Sequence, residues 1–132
     1  MAERMSFDTT FLIDIQREIR GGRKGRAHSF LERHAETVMF VSAVALGEFA
    51  EGFNQTNDPN LQRMLAPIEI LDIDLDTGFI YGVITRKLRT SGLPIGSNDL
   101  WIGCSALRHH IPLVTRDLEH FNRIDGLQVV GY

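Results

Sequence analysis

The sequence predicts an α/β fold, a three-layer α/β/α sandwich around a five-stranded, mainly parallel sheet. Five short apolar runs, at 5–7, 38–41, 68–73, 113–115 and 127–130, have the length of strands and not of helices. Between them lie longer segments whose apolar residues recur at helical spacing. Acids stand close behind several of the runs, at positions where parallel strands would gather them into one crevice. Right-handed crossovers between parallel strands then place helices on both faces of the sheet.

Met5 to Phe7 forms the first strand, and Asp8, Thr9 and Thr10 end it before Phe11, Leu12, Ile13 and Ile15 begin a helix. Gly21 and Gly22 close that helix, and a second follows from Arg26 to His34 with Phe30 and Leu31 inward. Residues 21–25 lack the GxxxxGK[ST] spacing of a phosphate loop. Val38 to Val41 is continuously apolar, as a strand covered on both faces should be. Ser42 caps the next helix, where Leu46, Phe49, Ala50 and Phe53 form the apolar stripe. Glu48 projects from another side near its start, and Glu51 is a competing candidate. Residues 57–60 break the chain before a short helix carrying Leu61, Met64 and Leu65.

Ile68 to Ile73 is the third strand, after which Asp74 or Asp76 caps a helix with Phe79, Ile80, Val83, Ile84 and Leu88 at core spacing. Gly92 and Pro94 stop it, leaving Arg86, Lys87 and Arg89 at its carboxyl end, where the helix dipole favours cations. The following helix has Ser97 as its expected cap and Asp99 in its first turn, with Ile102, Ala106 and Leu107 turned inward. It ends near His109 and His110, since Pro112 forbids continuation. Leu113 to Thr115 is the fourth strand, Asp117 to Phe121 a single helical turn, and Leu127 to Val130 the fifth strand.

A chain of 132 residues, 43% of them hydrophobic and 23% charged, makes one globular domain spanning residues 1–132. It contains no apolar run long enough to span a membrane, and Met1-Ala2-Glu3-Arg4 lacks the apolar core of a signal peptide, which points to the cytoplasm. Cys104, the one cysteine, cannot form an internal disulfide and reads as buried packing. The formal net charge of -3 argues against a protein that wraps nucleic acid with its whole surface. Local basic clusters at 20–26 and 86–89 remain able to meet phosphates.

The candidate chemistry lies in Asp8, Glu48, Asp99 and Asp117. Carboxylates crowded to about 4 Å at an effective dielectric near 20 repel by roughly 4 kcal/mol per pair. A hard divalent cation such as Mg²⁺ or Mn²⁺ removes that cost, because it takes oxygen ligands and keeps waters that can reach a phosphate. Such an ion lowers the pKa of bound water and stabilises charge on phosphoryl oxygens, as phosphodiester hydrolysis requires. The histidines show neither HExxH nor a zinc spacing. A dehalogenase-type phosphatase would want an acid where Thr10 stands, and a response-regulator receiver would want a lysine after a late strand, yet the only lysines are Lys24 and Lys87.

Taken together, Asp8-Thr9-Thr10 with Leu12, Ser42 with Glu48 and Gly52, Gly92 to Gly96 running into Asn98-Asp99-Leu100-Trp101-Ile102, and Leu113 to Asp117 with Phe121 and Gly126-Leu127 resemble the PIN-domain ribonucleases, and within them the VapC-type toxins of toxin-antitoxin pairs. The resemblance implies a five-stranded parallel sheet and an acidic site of Asp8, Glu48, Asp99 and Asp117 that binds Mg²⁺ or Mn²⁺ and cuts RNA with an activated water, leaving a 5′ phosphate. It also implies that Thr10, Asn98 and Thr115 stand beside the metal as supporting or phosphate-orienting groups. Similar toxins form homodimers, act on structured RNA such as transfer or ribosomal RNA, and are held in check by a cognate antitoxin that fills their groove.

An RNA-holding rim is expected from Arg86, Lys87, Arg89 and Arg116 together with Arg23, Lys24 and Arg26. The chain departs from the family pattern at Gly103, where Ala is usual, at His110, where Gly is usual, and at His120, where many members carry Asp. Gly103 is expected to admit a close neighbour or to weaken its helix, and His110 to sit in the left-handed conformation at a helix end. The alternative reading is a catalytically silent domain of the same fold that binds RNA or protein.

Overall fold

The computed structural model describes residues 2–132. Its elements run in the order β1 (Arg4–Phe7), α1 (Thr9–Gly21), α2 (Arg26–Arg33), β2 (Val38–Ser42), α3 (Ala43–Ala50), α4 (Pro59–Leu65), β3 (Ile68–Leu71), α5 (Leu75–Thr90), α6 (Ser97–Arg108), β4 (Leu113–Val114), α7 (Leu118–Phe121) and β5 (Val129–Val130). The strands form one five-stranded sheet in the order β3-β2-β1-β4-β5. Every pairing is parallel, with Ser6 against Phe40 on one side of β1 and against Leu113 on the other. The order reverses direction between β1 and β4. In open parallel sheets that is where loops at the carboxyl ends of the strands diverge and leave a crevice.

The central strands are buried on both faces, Phe7, Val41, Leu113 and Val114 being fully enclosed. Phe7, Phe11 and Phe30 pack with ring centroids 4.6 to 6.1 Å apart and pin α1 and α2 to the sheet. Burying one such side chain contributes about 1.5–3 kcal/mol. Gly22 closes α1 with φ 65°, the left-handed geometry that glycine takes without a Cβ clash. Among the described residues no helix is long and apolar enough to cross a membrane.

Several local expectations change. Ser97 is the first residue of α6 and not its cap; Gly96 holds the cap position, with no side-chain bond. Asp74, not Asp76, caps α5 by accepting from the Thr77 amide at 2.8 Å and from its hydroxyl at 2.6 Å. Strand β3 stops at Leu71, and β5 spans only Val129–Val130. The largest difference lies on α5, whose core side carries Thr77, Ile84 and Leu88 while Phe79 and Val83 face outward. Helical spacing identifies residues that share a face, but it does not say which of two apolar arcs the chain itself covers.

The family departures on α6 and just past its end take defined geometry. A Cβ added to Gly103 would stand 2.5 Å from Ile124 Cδ1 and 3.4 Å from Leu127 Cδ2, so the glycine admits the loop that follows α7. His110 has φ 55°, the left-handed conformation expected of it.

Candidate active site

Asp8 leaves β1 as the cap of α1, and its carboxylate is almost fully enclosed. Its Oδ1 accepts from the Thr9 amide at 2.7 Å, and its Oδ2 from the Thr115 hydroxyl at 2.8 Å and the Thr10 hydroxyl at 3.2 Å. Thr115 follows β4, so the hydroxyl from one side of the switch point fixes the acid from the other. Burial pushes the Asp8 pKa up, hydrogen bonds from Thr115, Thr9 and Thr10 oppose that, and the Glu48 charge adds to it. These donors orient the carboxylate without supplying a full positive charge to neutralise it.

Glu48 points to the same place from the second half of α3, the sixth of its eight residues and not near its start as expected, and Ser42 caps the helix by accepting from the Ala45 amide at 3.1 Å. Its Oε1 accepts from the Thr9 hydroxyl at 2.7 Å, and its Oε2 from Asn98 Nδ2 at 3.4 Å. Glu51 sits at the carboxyl cap of α3 and is exposed. Thr9 thus links two acids, its amide serving Asp8 and its hydroxyl serving Glu48, a role that the sequence reading did not assign. Glu48 lies 39 residues away, and no local spacing signals such a pair. The adjacency of two threonines to Asp8 was the only available hint.

Asp99 lies in the first turn of α6. Burial, followed by the charges of Asp8, Glu48 and Asp117, raises its pKa to about 6, while His120 pulls in the other direction. That set of neighbours places all four acids in one electrostatic neighbourhood. Asp117 caps α7, with His120 donating its amide to Oδ1 at 3.2 Å and presenting Nδ1 to Oδ2 at 2.7 Å. Burial would raise the Asp117 pKa, but the His120 side-chain and backbone hydrogen bonds outweigh it and hold the carboxyl below its usual value. The imidazole that replaces the more usual acid therefore orients Asp117. The Asp117 amide in turn donates to Thr115 Oγ1 at 3.0 Å.

Arg116 flanks this crevice with Nε 3.2 Å from Asp14 Oδ2, and the Tyr132 hydroxyl donates to the same oxygen at 2.6 Å. Arg89 and Ser97 border one small depression at the α5–α6 turn, close to the start of α6. Arg23, Lys24 and Arg26 behave differently, because they follow the far end of the 13-residue α1, about 20 Å along its axis from Asp8. Lys24 is paired there with Glu32 at 2.6 Å. Glu18 shapes this remote loop by accepting from the Gly25, Ala27 and His28 amides and contacting His28 Nδ1, all within 2.7 to 3.1 Å.

As the side chains stand, no three His, Cys, Asp or Glu groups among the described residues are close enough to share one ion. The donor chemistry nevertheless fits a hard divalent cation: every acid presents oxygen, and the Asp99 pKa is raised first by burial and then by the charges of Asp8, Glu48 and Asp117. Cys104 is buried and its thiol is pushed up to about 11, so it stays protonated at neutral pH and supplies no nucleophile.

A doubly wound parallel sheet with acids gathered at its switch point defines an α/β domain with an oxygen-rich, anionic crevice. The chain belongs to the PIN-domain family, whose model matches residues 5–127. It is 33% identical over 92 residues to ribonuclease VapC2 of Rickettsia felis, covering 66% of this chain and 69% of that protein. It is 27% identical over 96 residues to the tRNA(fMet)-specific endonuclease VapC of Salmonella typhimurium, covering 69% of this chain and 73% of the relative. A solved structure of VapBC2 from Rickettsia felis bound to a DNA fragment from its promoter superposes with a TM-score of 0.80 at 25% identity, over 98% of each chain.

Proposed function

We propose that this chain is a Mg²⁺- or Mn²⁺-dependent endoribonuclease and the toxin of a toxin-antitoxin pair. The observation that carries the reading is the linkage of the acids at the strand ends, Thr9 bonding to both Asp8 and Glu48 and Thr115 to both Asp8 and the Asp117 amide, with the charges of Asp8, Glu48 and Asp117 adding to the burial that raises the Asp99 pKa; a silent binding module has no use for that repulsion. The naming of relatives as ribonucleases supports the same chemistry.

When bound, the divalent ion supplies a water of lowered pKa and charge stabilisation at the scissile phosphate, with the product carrying a 5′ phosphate. Asp8 and Asp99 are the central holders of that ion, with Glu48 and Asp117 completing the anionic wall. Thr10 and Thr115 keep the Asp8 carboxylate in one orientation, Asn98 and Thr9 do so for Glu48, and His120 for Asp117. Fixed carboxylates need little reorganisation when charge develops on the substrate. Arg116, steadied by Asp14, meets a neighbouring phosphate, and Arg89 extends the basic rim together with Arg86 and Lys87. Arg23, Lys24 and Arg26 reach only an RNA long enough to run the length of α1, which fits a structured substrate such as transfer or ribosomal RNA.

The chain works in the cytoplasm as a homodimer, and a cognate antitoxin restrains it; the match to a VapBC complex supports the antitoxin partner. Cleavage of a structured RNA with and without Mg²⁺ or Mn²⁺ tests the reading. Cutting that requires the ion and disappears in Asp8→Asn upholds it; cutting that persists in chelator places the chemistry elsewhere.

A further inference from the structure

Three of the four acids are tied to one another by short polar bonds, and the fourth is held only through its surroundings. Thr9 joins Asp8 to Glu48, and Thr115 joins Asp8 to the Asp117 amide. Burial and charge act on the Asp99 carboxylate, but no hydrogen bond does. Its place therefore depends on the segment that leads into it, the loop 91–96 between α5 and α6, where Gly92 has φ 69° and Gly96 takes the cap position without a side-chain bond. Two polar bonds fix the start of α6 from outside. Asn98 Nδ2 donates to Glu48 Oε2 at 3.4 Å, near the long limit for such a bond. Arg123 Nη1 donates to the Pro94 carbonyl at 3.0 Å.

We propose that Arg123 is a positioning residue, which clamps the α5–α6 loop to the α7 segment and so keeps Asp99 within reach of the ion that Asp8 and Asp117 share. Arg123 follows α7 closely behind Asp117, and its side chain is only 23% exposed. Among the described residues its bond to Pro94 is the one hydrogen bond or ion pair between residues 91–101 and residues 115–125. Its Nη2 stands 3.6 Å from Glu119 Oε1, but Glu119 is 81% exposed, and such surface pairs hold little. The bond to Pro94 is charge-assisted and so of the stronger kind. The Arg123 charge also helps to hold the Asp117 carboxyl below its usual value, so the guanidinium lies close to that acid as well as to the loop. Ile124 against Gly103 joins the same two segments one turn further along α6 and sets their spacing, without reaching the loop before Ser97. With Arg123 the frame of the crevice closes: Thr9, Thr115, Arg123 and Asn98 connect Glu48, Asp8, Asp117 and the start of α6 in a ring. An arginine spent on a backbone carbonyl in this way serves the acids, and the RNA rim is left to Arg116 and Arg89.

The proposal rests on the ion-dependent reading above, and its test separates the two. Electron paramagnetic resonance of free Mn²⁺, titrated against the full chain without RNA, gives the affinity of the site that Asp8→Asn abolishes. Arg123→Met keeps most of the stem and deletes every donor, Arg123→Lys keeps the charge without the planar fork, and Glu119→Gln removes only the outer pair. Arg123→Met should weaken Mn²⁺ about tenfold or more and slow cleavage below saturating Mn²⁺ by a similar factor, while RNA affinity in chelator stays within about twofold. Arg123→Lys should recover part of the loss, and Glu119→Gln should match wild type. A merely structural role would lower the melting temperature of Arg123→Met and leave its Mn²⁺ affinity unchanged well below that temperature, which overturns the proposal. So does a loss of RNA affinity with Mn²⁺ affinity intact, which would make Arg123 a phosphate-binding residue. If Arg123→Met departs from the wild-type circular dichroism spectrum, Arg123→Lys is read in its place, and wild-type Mn²⁺ affinity there overturns the proposal. If the affinities behave as stated while wild type cuts no RNA, the clamp stands and the proposed activity falls. A wild type with no Mn²⁺ site sensitive to Asp8→Asn overturns both.

Discussion

Asp99→Asn should stabilise the metal-free protein at neutral pH while removing a group on which the proposed chemistry depends. The Asp99 carboxyl is raised from 3.8 to about 6, first by burial and then by Asp8, Glu48 and Asp117. The folded chain therefore holds a proton more tightly than the unfolded chain does. Between those two values the folded state binds more protons, so the Asp99 contribution to stability falls as pH rises through that window and is lost in full above it. At about 1.36 kcal/mol per unit, the penalty has an upper bound of about 3 kcal/mol. Water reaching the half-buried carboxylate screens it, and a gain of about 1–2 kcal/mol for Asn is the working expectation.

Urea unfolding in chelator checks this, with the variant and wild type compared at several pH values. The gap should be largest from pH 7 upward and should shrink toward pH 4, because the wild-type carboxyl becomes protonated and neutral like the amide. Comparing the two chains at each pH cancels the opposite contribution of Asp117, whose lowered pKa favours the fold as pH rises. Saturating Mn²⁺ should reverse the order, since an ion bound only to the folded state stabilises the chain that holds it better. A gap that stays constant with pH, or an Asn variant less stable than wild type at pH 7.5, would refute the claim that burial and the neighbouring acids penalise the Asp99 carboxylate.

Two further outcomes follow from local geometry. His110 is held at φ 55°, where a Cβ is unfavourable, so His110→Gly should be neutral or stabilising by up to about 1 kcal/mol in thermal unfolding. Gly103→Ala trades a helix gain of about 1 kcal/mol against an overlap with the buried Ile124 that typically costs about 1–3 kcal/mol. The single variant should lose stability, and pairing it with Ile124→Val, which removes the obstructing methyl, should recover most of the loss in a double-mutant cycle.

The succession of strands and helices was legible because short apolar runs and helical spacing are local properties of the chain. The positions of Asp8, Asp99 and Asp117 followed from them, each standing at the start of a helix behind a strand or a tight loop. The choice between Glu48 and Glu51 was open in the sequence, since both share one helix; the Thr9 and Asn98 bonds to Glu48 are tertiary contacts that spacing does not encode. The same limit explains Phe79 and Val83, whose apolar character was plain while their exposure was not. The basic residues divided for a related reason. Composition identified the clusters, but only the length and direction of α1 carried Arg23, Lys24 and Arg26 away from the acids. His120 looked like the loss of an acid and instead forms the shortest contact to Asp117.

Single-turnover RNA cleavage by Glu48→Gln and Glu51→Gln, with Mn²⁺ and protein both saturating, addresses the central claim most directly. The two residues share α3 and its flank, and each substitution removes one negative charge with little change in volume, so each variant controls for the other. The account predicts that Glu48→Gln loses at least about 100-fold in rate, the scale of a removed group that acts on the reacting centre, while Glu51→Gln stays near wild type. Equal rates for the two variants, or a loss confined to Glu51→Gln, would contradict the assignment of the acidic crevice as the cutting site.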